Sequence, residues 1–224
     1  MNTSMIAMLI RKDVHFFHRI VAGYIVFGLL AIALASIPGA TFFRAGGVLL
    51  VTTLVTLGMH LPVVTVLGES RNQTLAFLMS LPITPAEYTW SKLAFNLLSY
   101  FGVWSLLLFA SIAAVHLQGH LPRGLIPFLL IVFGGCAANA VLVLTAALVR
   151  DSLDKTIRAV VFWNVVLQGT VYSAATNRAI HASMQGGAVV WSADVFGFLL
   201  AELVLIVAGL GATLWLRSRK TQFI

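Results

Sequence analysis

Glu202 is the only formally charged residue inside an apolar stretch of helical length. It stands seven residues, about 10 Å at 1.5 Å per residue, from one end of that stretch. An ionised acid at that depth costs about 2.5–3.5 kcal/mol even on forgiving insertion scales, so it must face a cavity or a partner. Glu202 is therefore a candidate for lining a pathway, with a structural hydrogen bond as the equal alternative. His60, between Gly58 and Pro62, could carry a proton but fits a packed, hydrogen-bonded residue better. Asn164, Gln168 and Tyr172 recur at i, i+4 and i+8 and form a polar stripe. Such a stripe either lines a conduit or fastens one helix to another. Asp151 and Asp154 are the only close acidic pair, and no further ligand or base stands nearby in sequence. The histidines show no paired metal-ligand spacing, so no metal site is expected. The lone Cys136 lies in an apolar run and reads as a small packing residue.

The surroundings of these residues are not those of a soluble enzyme. Of 224 residues, 60% are hydrophobic and 9% charged, where a soluble domain carries about 25% charged residues. The mean hydropathy of +0.99 excludes disorder as well. The chain is an integral membrane protein, and its net charge of +7 marks cytoplasmic loops rather than a nucleic-acid surface.

Six apolar stretches can be marked off, at 20–37, 46–67, 93–115, 125–149, 159–175 and 195–216. A hydrocarbon core about 30 Å thick needs about 20 helical residues, so all six qualify, the fifth barely. The expected fold class is all-α, with one transmembrane domain over 20–224. Eleven Lys and Arg fall on one side of these spans and three on the other. That asymmetry predicts six spans in the cytoplasmic membrane with both termini cytoplasmic. The first stretch is too long for a cleaved signal peptide and reads as a retained span. The sequon at Asn72 then lies on the cytoplasmic side and is a chance match.

Two segments of the cytoplasmic face stand out. Over residues 1–19, Arg11, Lys12, His15, His18 and Arg19 share one helical arc while Met5, Ile6, Leu9, Ile10, Val14, Phe16 and Phe17 occupy the other side. This predicts an amphipathic interface helix along the inner leaflet; Asp13 interrupts its apolar side. The loop 68–92 is too long for a simple connection and too apolar to float in water. Leu75, Leu78 and Met79 are spaced as one face of a short helix, and Glu69 suits that helix's start.

The run Glu69-Ser-Arg-Asn-Gln-Thr-Leu, then Leu78-Met-Ser-Leu-Pro-Ile-Thr, then Glu87 and Lys92, resembles the segment after the second span of ABC-type export permeases of the type-2 family. The order of features agrees too: amphipathic start, six spans, cytoplasmic termini. By motif the likeness covers about 25 residues. The resemblance implies a transmembrane dimer, of two copies or of a copy and a paralogue, above two ATPase subunits. It also implies that Glu69, Arg71, Asn72, Thr74, Leu75, Leu78 and Met79 form a coupling helix seated in the ATPase. Asp151 and Asp154 are a candidate second contact. The outer loop 176–194 would correspond to a segment that folds back into the membrane. No GxxxxGK[ST] phosphate-binding loop occurs in this sequence. ATP and Mg are therefore expected on the partner ATPase, with no cofactor on this chain.

The expected function is thus a non-enzymatic permease that moves a lipid, peptide or amphipathic compound across the membrane. The partners are the ATPase subunits, a second permease and membrane lipid, with no nucleic acid. The alternatives are an intramembrane lipid-acting enzyme, which would need clustered acids or metal ligands, and an ion-coupled carrier using Glu202 and His60. Inverted-repeat symmetry, the mark of many carriers, is not visible in the sequence.

Overall fold

The computed structural model describes residues 3–71, 84–149 and 153–218, and every regular element among them is helical. Helix α1 covers Thr3–Ala35 and α2 covers Ala40–Pro62; a π-helical turn, Val63–Leu67, leads on into the short α3, Gly68–Arg71. There follow α4 (Pro85–Leu117), α5 (Leu125–Val149), α6 (Leu153–Thr176), α7 (Arg178–Gln185) and α8 (Ala193–Ser218). Five of these segments are long and apolar enough to cross a membrane: α1, α2 with its π turn, α4, α5 and α8.

The sixth expected span, 159–175, lies within α6. That helix has 24 residues, but Asn164, Gln168 and neighbouring hydroxyls dilute its apolar stretch, and it does not join the other five. The boundary expected between an interface helix at 1–19 and a first span at 20 is not a break either. No proline occurs before Pro38, so nothing stops the helix, and α1 runs unbroken for 33 residues. The outer loop expected at 176–194 holds α7. Asn177 caps it by accepting from the amides of Ala179 and Ile180 at 3.0 and 3.3 Å.

Helix α5 is the axis of the bundle and is buried along most of its length, with α2, α4, α6 and α8 around it. Its small residues allow this, since Gly, Ala and Cys side chains let neighbouring backbones approach. The main core joins Leu54, Leu57, Leu61, Leu107 and Phe133, and a smaller cluster of Val66, Leu93, Leu144 and Leu148 lies towards α3. Helix α1 packs on α2 and α4. Its turn into α2 uses Gly39 at φ 130°, a left-handed conformation that side chains resist. Gly46 then lets α2 touch α1: a Cβ there would come within 2.6 Å of the Ala31 carbonyl oxygen.

Two polar contacts inside the bundle fasten helices to one another. The Trp104 indole donates to the Phe133 carbonyl at 2.7 Å, tying α4 to α5. Thr213 donates to the Thr145 hydroxyl at 2.9 Å, tying α8 to α5. The outward faces are apolar. Phe27, Leu98, Phe109, Leu200 and Val207 are all exposed, as a surface facing acyl chains requires.

Candidate functional site

The densest polar constellation is a joint where α1, α3 and α4 meet. Its placement begins with the start of α4. The Thr84 hydroxyl accepts from the Glu87 amide at 3.3 Å, while the Glu87 carboxylate accepts from the Thr84 amide at 3.0 Å. This reciprocal capping box, with Pro85 just inside the helix, fixes where α4 begins. Tyr88, Lys92 and Asn96 then follow at four-residue spacing on one face.

That face meets the end of the second long helix in antiparallel register. Asn96 Nδ2 donates to the Thr65 hydroxyl at 3.0 Å and to the Lys92 carbonyl at 2.8 Å. One turn further, Lys92 Nζ donates to Glu69 Oε1 at 2.8 Å, and the Tyr88 hydroxyl donates to Glu69 Oε2 at 3.1 Å. From α1, Lys12 Nζ reaches the same Glu69 Oε1 at 2.6 Å. Asp13 receives Lys92 Nζ on Oδ2 at 2.8 Å and stands 3.4 Å from Lys12 through Oδ1.

Lys92 and Asp13 are fully buried, and Lys92 also lies over the Tyr88 ring at 5.6 Å. Isolated, either charge would be expelled from such a position; together their attraction and hydrogen bonds offset the desolvation. Burial acts to raise the Glu69 carboxyl, but the Lys92 charge and the Lys12 and Lys92 hydrogen bonds outweigh it. Glu69 is held below its ordinary value of 4.5. The joint is an attachment: it pins the two bases of the segment between α3 and α4 to each other and to α1.

Of the residues expected to form the coupling element, Glu69 is in this joint and Arg71 is the last described residue of α3. Asn72, Thr74, Leu75, Leu78 and Met79 lie outside the described residues, as does Asp151. Asp154 is exposed and makes an i,i+4 ion pair with Arg158 at 2.7 Å.

The residues expected to line a pathway are not gathered in one place. His60 Nδ1 lies 3.0 Å from the Tyr24 hydroxyl, with the rings edge to face, so it fastens α2 to α1. Asn164 donates to the Val160 carbonyl at 2.8 Å and accepts from Asn139 at 3.4 Å. Gln168 and Tyr172 are exposed. Glu202 is buried on α8, and neither carboxyl oxygen has a hydrogen-bond partner among the described residues.

Sequence reasoning missed Lys12, Lys92, Tyr88, Thr65 and Asn96 as parts of one site, and missed Asn139. The signal for the joint was present in Asp13. A charge on an otherwise apolar helix face requires a buried partner of opposite sign. Comparisons with family models, with curated proteins and with solved structures give no match to this chain.

Proposed function

We propose that this chain is the membrane permease subunit of an ATP-driven ABC-type exporter, working as a dimer above two separate ATPase subunits. In this reading α6 is the sixth span, its 24 residues giving about 36 Å against a core of about 30 Å. Six crossings put both termini on the cytoplasmic side with the basic loops.

The observation that carries the reading is the ion-paired joint. A segment that relays motion from a soluble motor must be held firmly where it enters the membrane domain. Here both of its bases are pinned through Glu69 and Lys92, and α1 is pinned with them. Closure of the ATPases would pull on residues 72–83, and the joint would pass the displacement to α1, α2 and α4 together. A displacement favours one access state only if the two states differ in their binding free energy for the motor or cargo.

The test is purification of the tagged chain from its native membrane in mild detergent, with mass spectrometry of what accompanies it. A stoichiometric partner carrying a GxxxxGK[ST] loop, with nucleotide hydrolysis in the purified complex, is the expected result. A chain that purifies without any nucleotide-hydrolysing partner, from membranes where it is functional, overturns the reading.

A further inference from the structure

The carboxylate of Glu202 sits in a notch. A Cβ on Gly134 would collide with Oε2, and one on Gly135 would come within 3.2 Å of Oε1, so the paired glycines of α5 make room for it. Beside this notch lies a cavity of about 170 Å³ between α5, α6 and α8. Glu202, Asn139 and Thr170 supply its polar lining, the Thr170 hydroxyl already donating to the Val166 carbonyl at 3.0 Å, and Trp163 and Phe198 supply aromatic surface. Asn139 spends its amide nitrogen on Asn164, and its Oδ1 is buried without a partner.

Three orphaned acceptors therefore border one cavity: both oxygens of Glu202 and Oδ1 of Asn139. Among the described residues the one orphaned buried side-chain N or O atom able to donate, the Tyr100 hydroxyl, lines a different pocket. Buried acceptors of this kind require donors, and a carboxylate in a membrane requires positive charge. A bare metal ion is poorly served, because no group of three or more His, Cys, Asp or Glu converges among the described residues. An ammonium group brings several N–H donors and one positive charge in a small volume, and an aromatic face adds attraction.

We propose that Glu202 and Asn139 form a binding site for an organic ammonium ion, the charged end of an amphipathic amine whose apolar body lies along Phe198 and the neighbouring aliphatic wall. That the amine is cargo rests on the permease reading; that it binds does not.

The chain is reconstituted alone in phosphatidylcholine nanodiscs and titrated with dodecylammonium, with dodecanoate as a probe of equal tail and opposite charge. Saturable binding of dodecylammonium that weakens about tenfold or more in Glu202→Gln, with dodecanoate insensitive to the substitution, is the expected result. Equal uptake by wild-type and Glu202→Gln discs overturns the proposal, as does the same dependence for dodecanoate. Should Glu202→Gln fail to elute as a folded particle, Ala201→Phe keeps the carboxylate and adds a bulky ring to the cavity wall. It must weaken dodecylammonium too, and unchanged binding in it is equally fatal. No ATPase is present, so failure here leaves the motor reading standing, and loss of the motor reading leaves this binding result intact.

Discussion

Lys92 Nζ lies 2.8 Å from Asp13 Oδ2, a contact between side chains 79 positions apart, both wholly enclosed. It ties the first helix to α4 at the base of the loop, and Glu69 completes the closure from the other side. The contact sets the order of severity among substitutions. Removing Lys92 leaves the buried Asp13 with Lys12 alone, at 3.4 Å, to offset its charge, and breaking a buried pair costs up to about 3–5 kcal/mol. Lys92→Met is expected to lower the detergent-solubilised protein's unfolding midpoint strongly. Asp13→Leu combined with Lys92→Met is expected to recover part of that loss. A double variant as unstable as the sum of the singles would disprove direct pairing.

Acid should loosen the joint through Glu69. Its carboxyl is held below 4.5 in the folded chain, so it contributes stability that is complete above that value. The contribution fades as pH falls through the lower, folded-state value. Thermal unfolding of wild type and Glu69→Gln across a pH series checks this. The gap between them should be constant at neutral pH and narrow only on the acid side of 4.5.

Attachment and transmission should separate by mutation. Leu78→Asp with Met79→Asp is expected to abolish co-purification of an ATPase, because charges are introduced on the apolar face of the segment expected to dock. A mild change in the joint, Tyr88→Phe, removes one hydrogen bond to Glu69 and should leave association intact. It should reduce stimulation of hydrolysis by cargo. Loss of association in Tyr88→Phe, or its retention in the double aspartate variant, would refute this division.

The contact of α1 with α2 predicts a contrast between adjacent glycines. Gly46→Ala drives a methyl into the Ala31 and Ala35 backbone and should cost about 1–3 kcal/mol. A Cβ at Gly47 meets nothing within 4 Å, so Gly47→Ala should be neutral or slightly stabilising. Midpoints from a thermal scan of the two variants decide it, and equal effects would contradict the tight crossing.

The helical architecture was legible because length and unbroken apolarity leave few other solutions in a bilayer. The stretch 125–149 lies within α5, whose start at Leu125 follows the turn-forming Pro122 and Gly124. The continuity of α1 was obscured by the change from mixed to apolar composition at residue 20, which alters surroundings and not backbone. The joint was obscured for a different reason. Asp13, Glu69 and Lys92 come from three separate parts of the chain, and only the antiparallel docking of α4 on α3, with α1 alongside, brings them together. For the stripe on α6 the spacing gave the residues but not their surroundings: Asn164 bonds Asn139 on α5, while Gln168 and Tyr172 are exposed. Asn139, whose buried amide depends on what α6 and α8 place beside it, gave no signal at all.

Lys12, Lys92, Asp13 and Glu69, the ion-paired side chains of the joint among the described residues, carry formal charges that cancel. A single elementary charge displaced through the whole field does about 2.3 kcal/mol of electrical work per 100 mV. Under the permease reading, a neutral quartet carried along the membrane normal as one body would do none, so its displacement would be the same in energised and in depolarised cells.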